Sequence, residues 1–357
     1  MNDQNWTRPP FRLAVVGCGA VTEACHLPAA LKSSLVEVTA LVDPALERAE
    51  RLTRRFGLRS RVAARLEDVI DLADGVLIAT PNHTHFDLAR LVLERKLPVL
   101  VEKPLTTSYD QALELCRLAE TNHTTLAVGF WTRFQPCVRL MKSLLQTGYL
   151  GAVRGFHCES GSRGGWSPVS AYNLDAKLAG GGILVVTGTH YLDRILDWFG
   201  EPEIVEFRDD SFGGPEANCF GRLRYQGASG PFEGSFLVSK TAGLKNRFFL
   251  ETERYSCEVT ETEPNDIIAR PHDHPDLVLR LGSSCLPRAK NADYYQLQLE
   301  DFIASARSGK PPLVDGRSGA KSVKLVADLY AHRLQLEEPW MWYRRPGAEP
   351  CGLTGGA

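Results

Sequence analysis

The sequence lacks several features that would place it at once in a functional class. No apolar run is long enough to span a bilayer, and the nine cysteines contain no C-x-x-C pair. Basic and acidic residues nearly cancel, with 41 Lys and Arg against 43 Asp and Glu and a formal net charge of -2. No global field therefore draws the protein to nucleic acid or to an anionic membrane. Its partners must be selected by a local site.

The cysteines and the first residues give an expectation about the compartment. Scattered cysteines, odd in number, are typical of reduced thiols rather than of a disulfide framework or a zinc ribbon. The first ten residues are too polar for a signal peptide. We therefore expect a cytoplasmic protein without a nucleic-acid or membrane partner. We also expect no metal, because His272 and His274 have no further ligands at suitable spacing.

The order of predicted elements divides the 357 residues into two domains. From 11 to 131, short β-branched runs alternate with helical patterns, which indicates an α/β domain with a parallel sheet. From 132 to 336, successive strands without intervening helices indicate an α+β domain with a mostly antiparallel sheet. The remaining residues, 337–357, form a tail with three aromatic residues near its start.

The element bounds are predicted from periodicity and from turn residues. In the first domain we predict strands at 12–16, 36–42, 75–79, 99–101 and 125–129 and helices at 23–32, 45–56, 66–71, 85–95 and 109–120. In the second we predict strands at 153–159, 203–209, 217–226, 231–239, 245–251 and 254–260. Helices are predicted at 136–146, after Gly180–Gly182, and at 295–308 and 319–336, with a long polar loop at 261–292.

A glycine turn follows the first predicted strand and leads into a helix. Gly17 permits the tight turn, and Gly19 lets the backbone approach a pyrophosphate above the helix N-terminus. Thr22 stands where this fingerprint usually has a third Gly or Ala. Asp43 ends the second strand, where an acid accepts hydrogen bonds from the ribose hydroxyls; alternatively, it caps the helix that follows Pro44. A carboxylate there repels a 2′-phosphate, so we expect NAD rather than NADP.

Further motifs carry a resemblance to one family. Thr80-Pro81-Asn82-His83-Thr84-His85 follows the strand at 75–79, and Glu102-Lys103-Pro104 follows the strand at 99–101. Later segments of the same pattern are Gly180-Gly181-Gly182, Gly188-Thr189-His190 and Gly309-Lys310-Pro311-Pro312. In these ordered motifs the chain resembles the glucose-fructose oxidoreductase and inositol dehydrogenase family, usually called Gfo/Idh/MocA, over nearly its whole length.

The resemblance implies a dehydrogenase acting on a hydroxyl or keto carbon of a sugar, sugar nucleotide or cyclitol. It implies a Rossmann domain followed by a domain with a large, open, mostly antiparallel sheet, through which subunits pair as a homodimer or homotetramer. It also implies that Asn82 and Glu102 line the cofactor pocket and that Lys103 sits at the reacting carbon. The predicted cofactor-binding residues are Gly17, Gly19, Ala20, Val21, Asp43, Thr80, Asn82, His85, Glu102 and Lys103.

Lys103 and His190 are the predicted catalytic residues. Near an oxidised nicotinamide and partly buried, Lys103 has its ammonium form disfavoured, so its pKa falls toward that of a general base. Sugar and inositol dehydrogenases of the family carry an acid four residues before the histidine, but here that position is Val186. We favour catalysis by Lys103 with His190 assisting.

Other hypotheses about this departure stay open. In one hypothesis, another polar residue takes the place of the acid, and the candidates are Tyr172, Asp175, Lys177 and Tyr191. Alternatively, the protein uses tightly bound NAD in a non-redox lyase or hydrolase reaction, or it is a catalytically inactive ligand-binding homologue.

The predicted substrate-binding residues are polar or aromatic and lie around the expected cleft. Trp131 gives a sugar ring an apolar platform or, alternatively, covers the domain junction. Arg163 is a candidate for recognising an anionic group. The full predicted set is Trp131, Arg133, Arg163, Trp166, Tyr172, Asp175, Lys177 and His190.

Overall fold

The computed structural model describes residues 9–163, 171–212, 214–260, 264–283 and 291–336. Over these residues the chain forms a sheet of six strands and a sheet of nine strands. The predicted tail and Trp166 lie outside the described residues. None of the helices in the described ranges combines the length and the apolar character needed to cross a membrane.

The first sheet is entirely parallel, with the strand order β3-β2-β1-β4-β5-β6. Its strands are β1 (Phe11–Val16), β2 (Val36–Val42), β3 (Arg61–Ala63), β4 (Gly75–Ile78), β5 (Val99–Val101) and β6 (Leu126–Val128). The order reverses between β1 and β4, which stay paired to their carboxyl ends at Val16 and Ile78. The connections that follow lead to helices on opposite faces of the sheet and leave a crevice between them. Ligands of open α/β sheets bind at such a switch point.

Helices cover both faces of this sheet, because alternate strand residues enter two different cores. Ala14 and Val16 of β1 pack with the helices α3 (His85–Glu94) and α4 (Tyr109–Thr121). Leu13 and Val15 pack on the other face with α1 (Leu27–Lys32) and α2 (Leu46–Phe56). The prediction of a helix at 66–71 is wrong, since two separate 3₁₀ turns occupy it, and β3 was not predicted.

The second sheet has the order β14-β13-β12-β11-β7-β10-β9-β8-β15 and is mostly antiparallel, with parallel pairs only at β7–β10 and β8–β15 among the described strands. Its strands are β7 (Val153–Gly161), β8 (Glu203–Asp209), β9 (Asn218–Gly227), β10 (Gly230–Ser239), β11 (Arg247–Thr252), β12 (Tyr255–Thr260), β13 (Asp266–Pro271), β14 (Leu279–Gly282) and β15 (Arg333–Gln335). Helices α5 (Pro136–Gln146), α6 (Ala176–Ala179), α7 (Thr189–Phe199), α8 (Asn291–Ser308) and α9 (Gly316–Ala331) complete the chain.

Two predictions about the second domain are corrected. The segment 261–292 is not one long loop, because β13 and β14 extend the sheet within it. The last helix ends at Ala331 instead of continuing to 336, and β15 follows it.

The helix α8 returns to the first domain, although it lies within the second predicted domain. Leu299, Phe302 and Ile303 of α8 are buried in the core with Phe11 and Leu27. The rings of Phe11 and Phe302 meet edge to face with centroids 5.9 Å apart. The domain boundary is therefore crossed a second time near the end of the chain.

Candidate active site

The turn after β1 leaves open space for a ligand. Gly17 has a φ of +95°, and a Cβ on it would lie 2.4 Å from the carbonyl oxygen of Ala79. A Cβ on Gly19 would instead meet no atom within 4 Å. Ala20 is exposed and Val21 half-buried at the start of the following turn. An open approach to main-chain N–H groups at the carboxyl end of β1 fits the pyrophosphate of a dinucleotide.

Thr22 explains the imperfect glycine fingerprint. Its side chain is fully buried, and its hydroxyl donates a 2.6 Å hydrogen bond to the carbonyl oxygen of Gly17. The hydroxyl therefore closes the turn from within. Thr22 also begins a π-helical turn, Thr22–His26, that precedes α1. The third fingerprint position thus supports the turn without facing a cofactor.

Asp43 holds the second strand end against this turn. One carboxylate oxygen accepts the N–H of Cys18 and the other accepts the N–H of Ala45, both at 2.9 Å. The alternative interpretation of Asp43 as a helix cap is wrong, because Ala45 is the N-cap of α2 and has no side-chain cap bond. The Asp43 side chain instead orders the turn before α2 and places its carboxylate beside the glycine turn. Each carboxylate oxygen keeps a further acceptor site for a ribose hydroxyl.

The two motif segments after β4 and β5 are tied together by His85. This side chain is completely buried, with Nδ1 2.8 Å from the carbonyl oxygen of Pro104 and Nε2 2.9 Å from that of Thr80. Burial lowers the pKa of His85 although both carbonyls oppose that shift. Both ring nitrogens are occupied within the protein, so the predicted direct contact of His85 with a cofactor has no support here.

Asn82 connects the two domains at the same edge. Its side-chain amide is buried and donates a 2.7 Å hydrogen bond to the carbonyl oxygen of Ala179. Ala179 precedes the triple-glycine segment of the second domain. Asn82 therefore aligns that segment with the strand ends of the Rossmann sheet.

Glu102 forms a buried pair that the sequence did not reveal. Its Oε1 lies 2.8 Å from Nε2 of His26, and its Oε2 accepts the main-chain N–H of Lys103 at 3.1 Å. Burial raises the pKa of Glu102, but the hydrogen bond from His26 and the charges of His26 and Lys103 lower it further than burial raises it. Tyr295 packs edge to face on the His26 ring at 5.1 Å. A carboxylate is thus kept ionised directly beside Lys103.

Lys103 reaches across the domain junction. Its Nζ donates a 2.7 Å hydrogen bond to the carbonyl oxygen of Val186. Burial lowers the pKa of Lys103, Glu102 opposes this effect, and the charge of Lys240 adds to it. Lys240, which follows β10, was not predicted as part of the site. At the position where the family resemblance predicts an acidic side chain, this chain therefore offers Lys103 an uncharged main-chain acceptor.

His190 lies one helical turn after Val186 and packs against two aromatic side chains. Its ring meets Phe130 at 6.1 Å and Trp131 at 5.9 Å, both edge to face. Burial, followed by the charges of Lys103 and Arg194, lowers the pKa of His190 well below its ordinary value. Its buried Nδ1 has no hydrogen-bond partner among the residues that the structure describes. Because that nitrogen is closed off from solvent, any contact with a bound polar group has to use the rest of this half-buried imidazole.

The other predicted substrate residues divide into two groups. Trp131 stacks on Tyr294 and Tyr295, with centroids 6.2 and 5.5 Å away, so it covers the domain junction while its edge faces His190. Tyr172 is half-buried, and burial and then the charge of Glu102 raise its pKa, which places it near the site. These two residues stay candidates for substrate contact.

Three predicted residues have other surroundings. Arg133 is buried, and its guanidinium binds Asp193 at 2.6 and 2.8 Å and also Asp197, which leaves the predicted substrate contact without support. Asp175 accepts the N–H groups of Lys177 and Leu178 as the N-cap of α6. Tyr191 is buried in the second core, so it does not replace the missing acid.

Arg163 and Lys177 are exposed. Over the described ranges, no group of three or more His, Cys, Asp and Glu side chains is arranged to hold a metal ion.

Two family models match the chain, one for each domain. Residues 11–130 match the model described as oxidoreductase family, NAD-binding Rossmann fold. Residues 138–258 match the GFO/IDH/MocA C-terminal domain. The two matches follow the division between the sheets and together cover well over half of the sequence.

Known proteins are similar at both the sequence and the fold level. The rhizopine catabolism protein MocA of Rhizobium meliloti is 32% identical over 200 residues, which cover 56% of this chain and 60% of that protein. D-glucoside 3-dehydrogenase of Escherichia coli (strain K12) is 27% identical over 216 residues, 60% of this chain and 61% of that protein. The matches therefore span about three fifths of these relatives.

A structure of levoglucosan dehydrogenase in complex with NADH and L-sorbose has the same fold. It has a TM-score of 0.80 at 18% identity, over 90% of this chain and 96% of that one. With both domain models matched in order and this shared architecture, the chain belongs to the GFO/IDH/MocA oxidoreductase family.

Proposed function

We propose that this protein is an NAD-dependent oxidoreductase that moves a hydride between nicotinamide and a hydroxyl or keto carbon of a sugar, sugar nucleotide or cyclitol. The observation that carries the proposal is Lys103, a half-buried amine with a lowered pKa at the domain junction. The family membership and the glucoside dehydrogenase among its relatives support the substrate class.

The residues present fit the dinucleotide. The turn at Gly17 and Gly19 would hold its pyrophosphate and Asp43 its adenosine ribose, where a carboxylate disfavours a 2′-phosphate. We therefore propose NAD in preference to NADP. The bound cofactor would supply the hydride donor or acceptor, and the protein's own groups would handle the proton.

Lys103 has the donor and acceptor capacity for proton transfer. As a neutral amine it keeps an N–H for the Val186 carbonyl while its lone pair accepts the proton of a substrate hydroxyl. In the reverse direction the ammonium form returns that proton to a carbonyl oxygen. The half-buried His190, whose pKa burial lowers well below its ordinary value, assists as a neutral imidazole that orients the same hydroxyl.

The first test is a substrate screen combined with a lysine variant. Sugars, sugar nucleotides and cyclitols are incubated with NAD or NADP, and the nicotinamide absorbance is followed. We expect turnover with NAD and, for Lys103→Met, a loss of kcat of about 100-fold to 10,000-fold with nearly unchanged NAD affinity. Lys321→Met, which removes an exposed lysine of α9, is the matched control and retains full activity.

The outcomes separate the competing functions. A fully active Lys103→Met variant removes Lys103 from the chemistry. Product formation without net change of nicotinamide absorbance, with dinucleotide retained, supports the non-redox alternative that Val186 suggests. Dinucleotide binding without turnover on any member of the panel favours an inactive ligand-binding homologue.

We further propose a homodimer or homotetramer that forms through the nine-stranded sheet. Arg222 and Arg224 of β9 and Ser235 of β10 point away from the second core and stay half-exposed, so this sheet face offers an open surface to a second subunit. We also propose a reducing, cytoplasmic location, which the seven free thiols in the described ranges support.

A further inference from the structure

A buried carboxylate outside the predicted site lies at the triple-glycine segment. Glu216 belongs to the connection between β8 and β9, and its side chain is completely inaccessible to solvent. A buried carboxylate is costly unless hydrogen bonds compensate it. The contacts of Glu216 therefore indicate what the fold requires of it.

Glu216 takes up three consecutive main-chain N–H groups. Its Oε2 accepts from Gly182 at 3.0 Å, its Oε1 accepts from Leu184 at 2.9 Å, and its own carbonyl oxygen accepts from Ile183 at 2.9 Å. The hydroxyl of Tyr330 donates a further 2.8 Å bond to Oε1. The start of the segment leading to α7 is thus held by one residue.

Glu216 and Tyr330 can approach the segment this closely only because positions 181 and 182 are glycines. A Cβ on Gly182 would lie 2.2 Å from the carbonyl oxygen of Glu216, and a Cβ on Gly181 would lie 2.0 Å from the Tyr330 hydroxyl oxygen. Gly181 also has a φ of +148°, which side chains rarely adopt. The triple-glycine motif therefore makes room for Glu216 and Tyr330.

A short chain of hydrogen bonds connects Glu216 to Lys103. The Glu216 carboxylate accepts the N–H of Gly182. The carbonyl of Gly182 accepts the N–H of Val186 at 3.1 Å. The carbonyl of Val186 in turn accepts a hydrogen bond from Lys103 Nζ at 2.7 Å. A carboxylate side chain at position 186 would adjust by rotation. A main-chain carbonyl moves only with its backbone, so its position depends on the first turn of the segment.

We propose that Glu216 is a positioning residue for Lys103, acting through the peptide groups of Gly182 and Val186. The inference rests on the proposed acid–base role of Lys103. Burial raises the pKa of Glu216, its hydrogen bonds from the main chain and Tyr330 oppose this, and Asp209 adds to the rise. The Arg333 guanidinium, 3.9 Å from Oε2, is the cation that faces it.

The test is Glu216→Gln, which keeps the shape but replaces one acceptor oxygen with an NH₂ group. That group cannot accept an N–H, so the first turn shifts and Lys103 loses part of its acceptor. We expect kcat to fall about 10-fold to 100-fold, as for small misplacements of a catalytic group, with little change in KM. The ammonium form of Lys103 loses stabilisation, so the pKa of Lys103 falls. The acidic limb of the kcat/KM profile therefore moves to lower pH by roughly half a unit.

A second measurement needs no substrate. The pH dependence of Lys103 acetylation, followed by mass spectrometry in the intact protein, reports the same pKa. We expect its midpoint to be lower in Glu216→Gln than in the unsubstituted protein. If neither the unsubstituted protein nor the variants turn over substrate, the proposed reaction is contradicted. The positioning role of Glu216 is still supported if the acetylation midpoint of Lys103 shifts as expected.

Two further variants keep the test decisive. Tyr330→Phe removes the donor to Oε1 and a 3.4 Å acceptor of the Gly182 N–H, but it leaves both main-chain bonds to the Glu216 carboxylate. A smaller shift in the same direction is therefore expected even if Glu216→Gln folds poorly. Asp301→Asn is the matched control, since burial also raises the pKa of Asp301, which accepts the Leu313 N–H at 2.8 Å. An unchanged labelling midpoint in folded Glu216→Gln, or an equal shift in Asp301→Asn, overturns the proposal.

Discussion

Val186 stands where the family resemblance predicts an acid, and this difference affects both the charge around Lys103 and its hydrogen-bond partner. A carboxylate at that position would stabilise the ammonium form, whereas the carbonyl of Val186 accepts the same hydrogen bond with no net charge. Glu102 then remains as the carboxylate that raises the pKa of Lys103, against the opposing effects of burial and Lys240. The departure from the family pattern is therefore compatible with a working general base.

Val186→Asp tests this electrostatic account. A general base must be neutral, so kcat/KM rises with pH through the pKa of Lys103, which burial places below its ordinary value. A new carboxylate beside Lys103 raises that pKa, and the rise in activity should move to higher pH by about one unit or more. Val186→Asn adds a similar shape without charge and should leave the profile in place. An unmoved profile in the aspartate variant contradicts the account.

The local geometry of a residue was predictable where a short motif defined it. The turn at Gly17 and the acid Asp43 follow from the order of strand, glycine turn, helix and strand. His26 and Glu216 were not predictable, because their partners lie 76 and 34 residues away. The buried ion pairs of Arg133 were not predictable, since sequence does not show that two carboxylates of α7 lie beside it.

At the scale of elements, prediction succeeded for continuous apolar runs and failed for strands of mixed polarity. The fully buried strands β4 and β5 are continuous apolar runs, so they were predicted nearly to the residue. β13 and β14 carry polar and charged residues and lie between turn-forming segments. They become strands because β12 offers a partner edge, which no local pattern reveals.

The connection between the end of the Rossmann domain and α7 rests on a buried ion pair. Asp193 has no exposed surface, and burial raises its pKa while Arg133 lowers it. Arg133→Met leaves this carboxyl unpaired, so the free energy of unfolding should fall by about 3–5 kcal/mol. Urea denaturation monitored by circular dichroism measures the shift of the midpoint.

The double variant Arg133→Met/Asp193→Leu is the matched comparison for that prediction. It removes both charges, and Asp197 retains its contact with Lys142. Most of the lost stability should return, because no uncompensated charge remains in the core. A double variant no more stable than Arg133→Met would contradict the role assigned to this pair.

The whole molecule is more interwoven than the two-domain prediction implies. α8 packs on the first sheet, and an isolated bridge pairs Ala127 of β6 with Asp315 just before α9. Amphipathic patterning shows that α8 has an apolar face but does not show which sheet receives it. Lys103 and its acceptor, the Val186 carbonyl, lie on different domains, so this return of the chain helps to hold the two groups at hydrogen-bond distance.

The outer face of the nine-stranded sheet is the surface on which we expect assembly. Ser235 of β10 lies between His157 of β7 and Arg222 of β9, and its hydroxyl binds His157 Nδ1 at 2.9 Å. Ser235→Arg places a long cation at this position, and desolvating it between two subunits is unfavourable. Sedimentation velocity at micromolar concentration should show a dimer or tetramer for the unsubstituted protein and a smaller species for Ser235→Arg. The control is Gln146→Arg, which adds the same charge on the exposed end of α5 and should leave the assembly intact. An unsubstituted protein that sediments as a monomer would refute the expected interface.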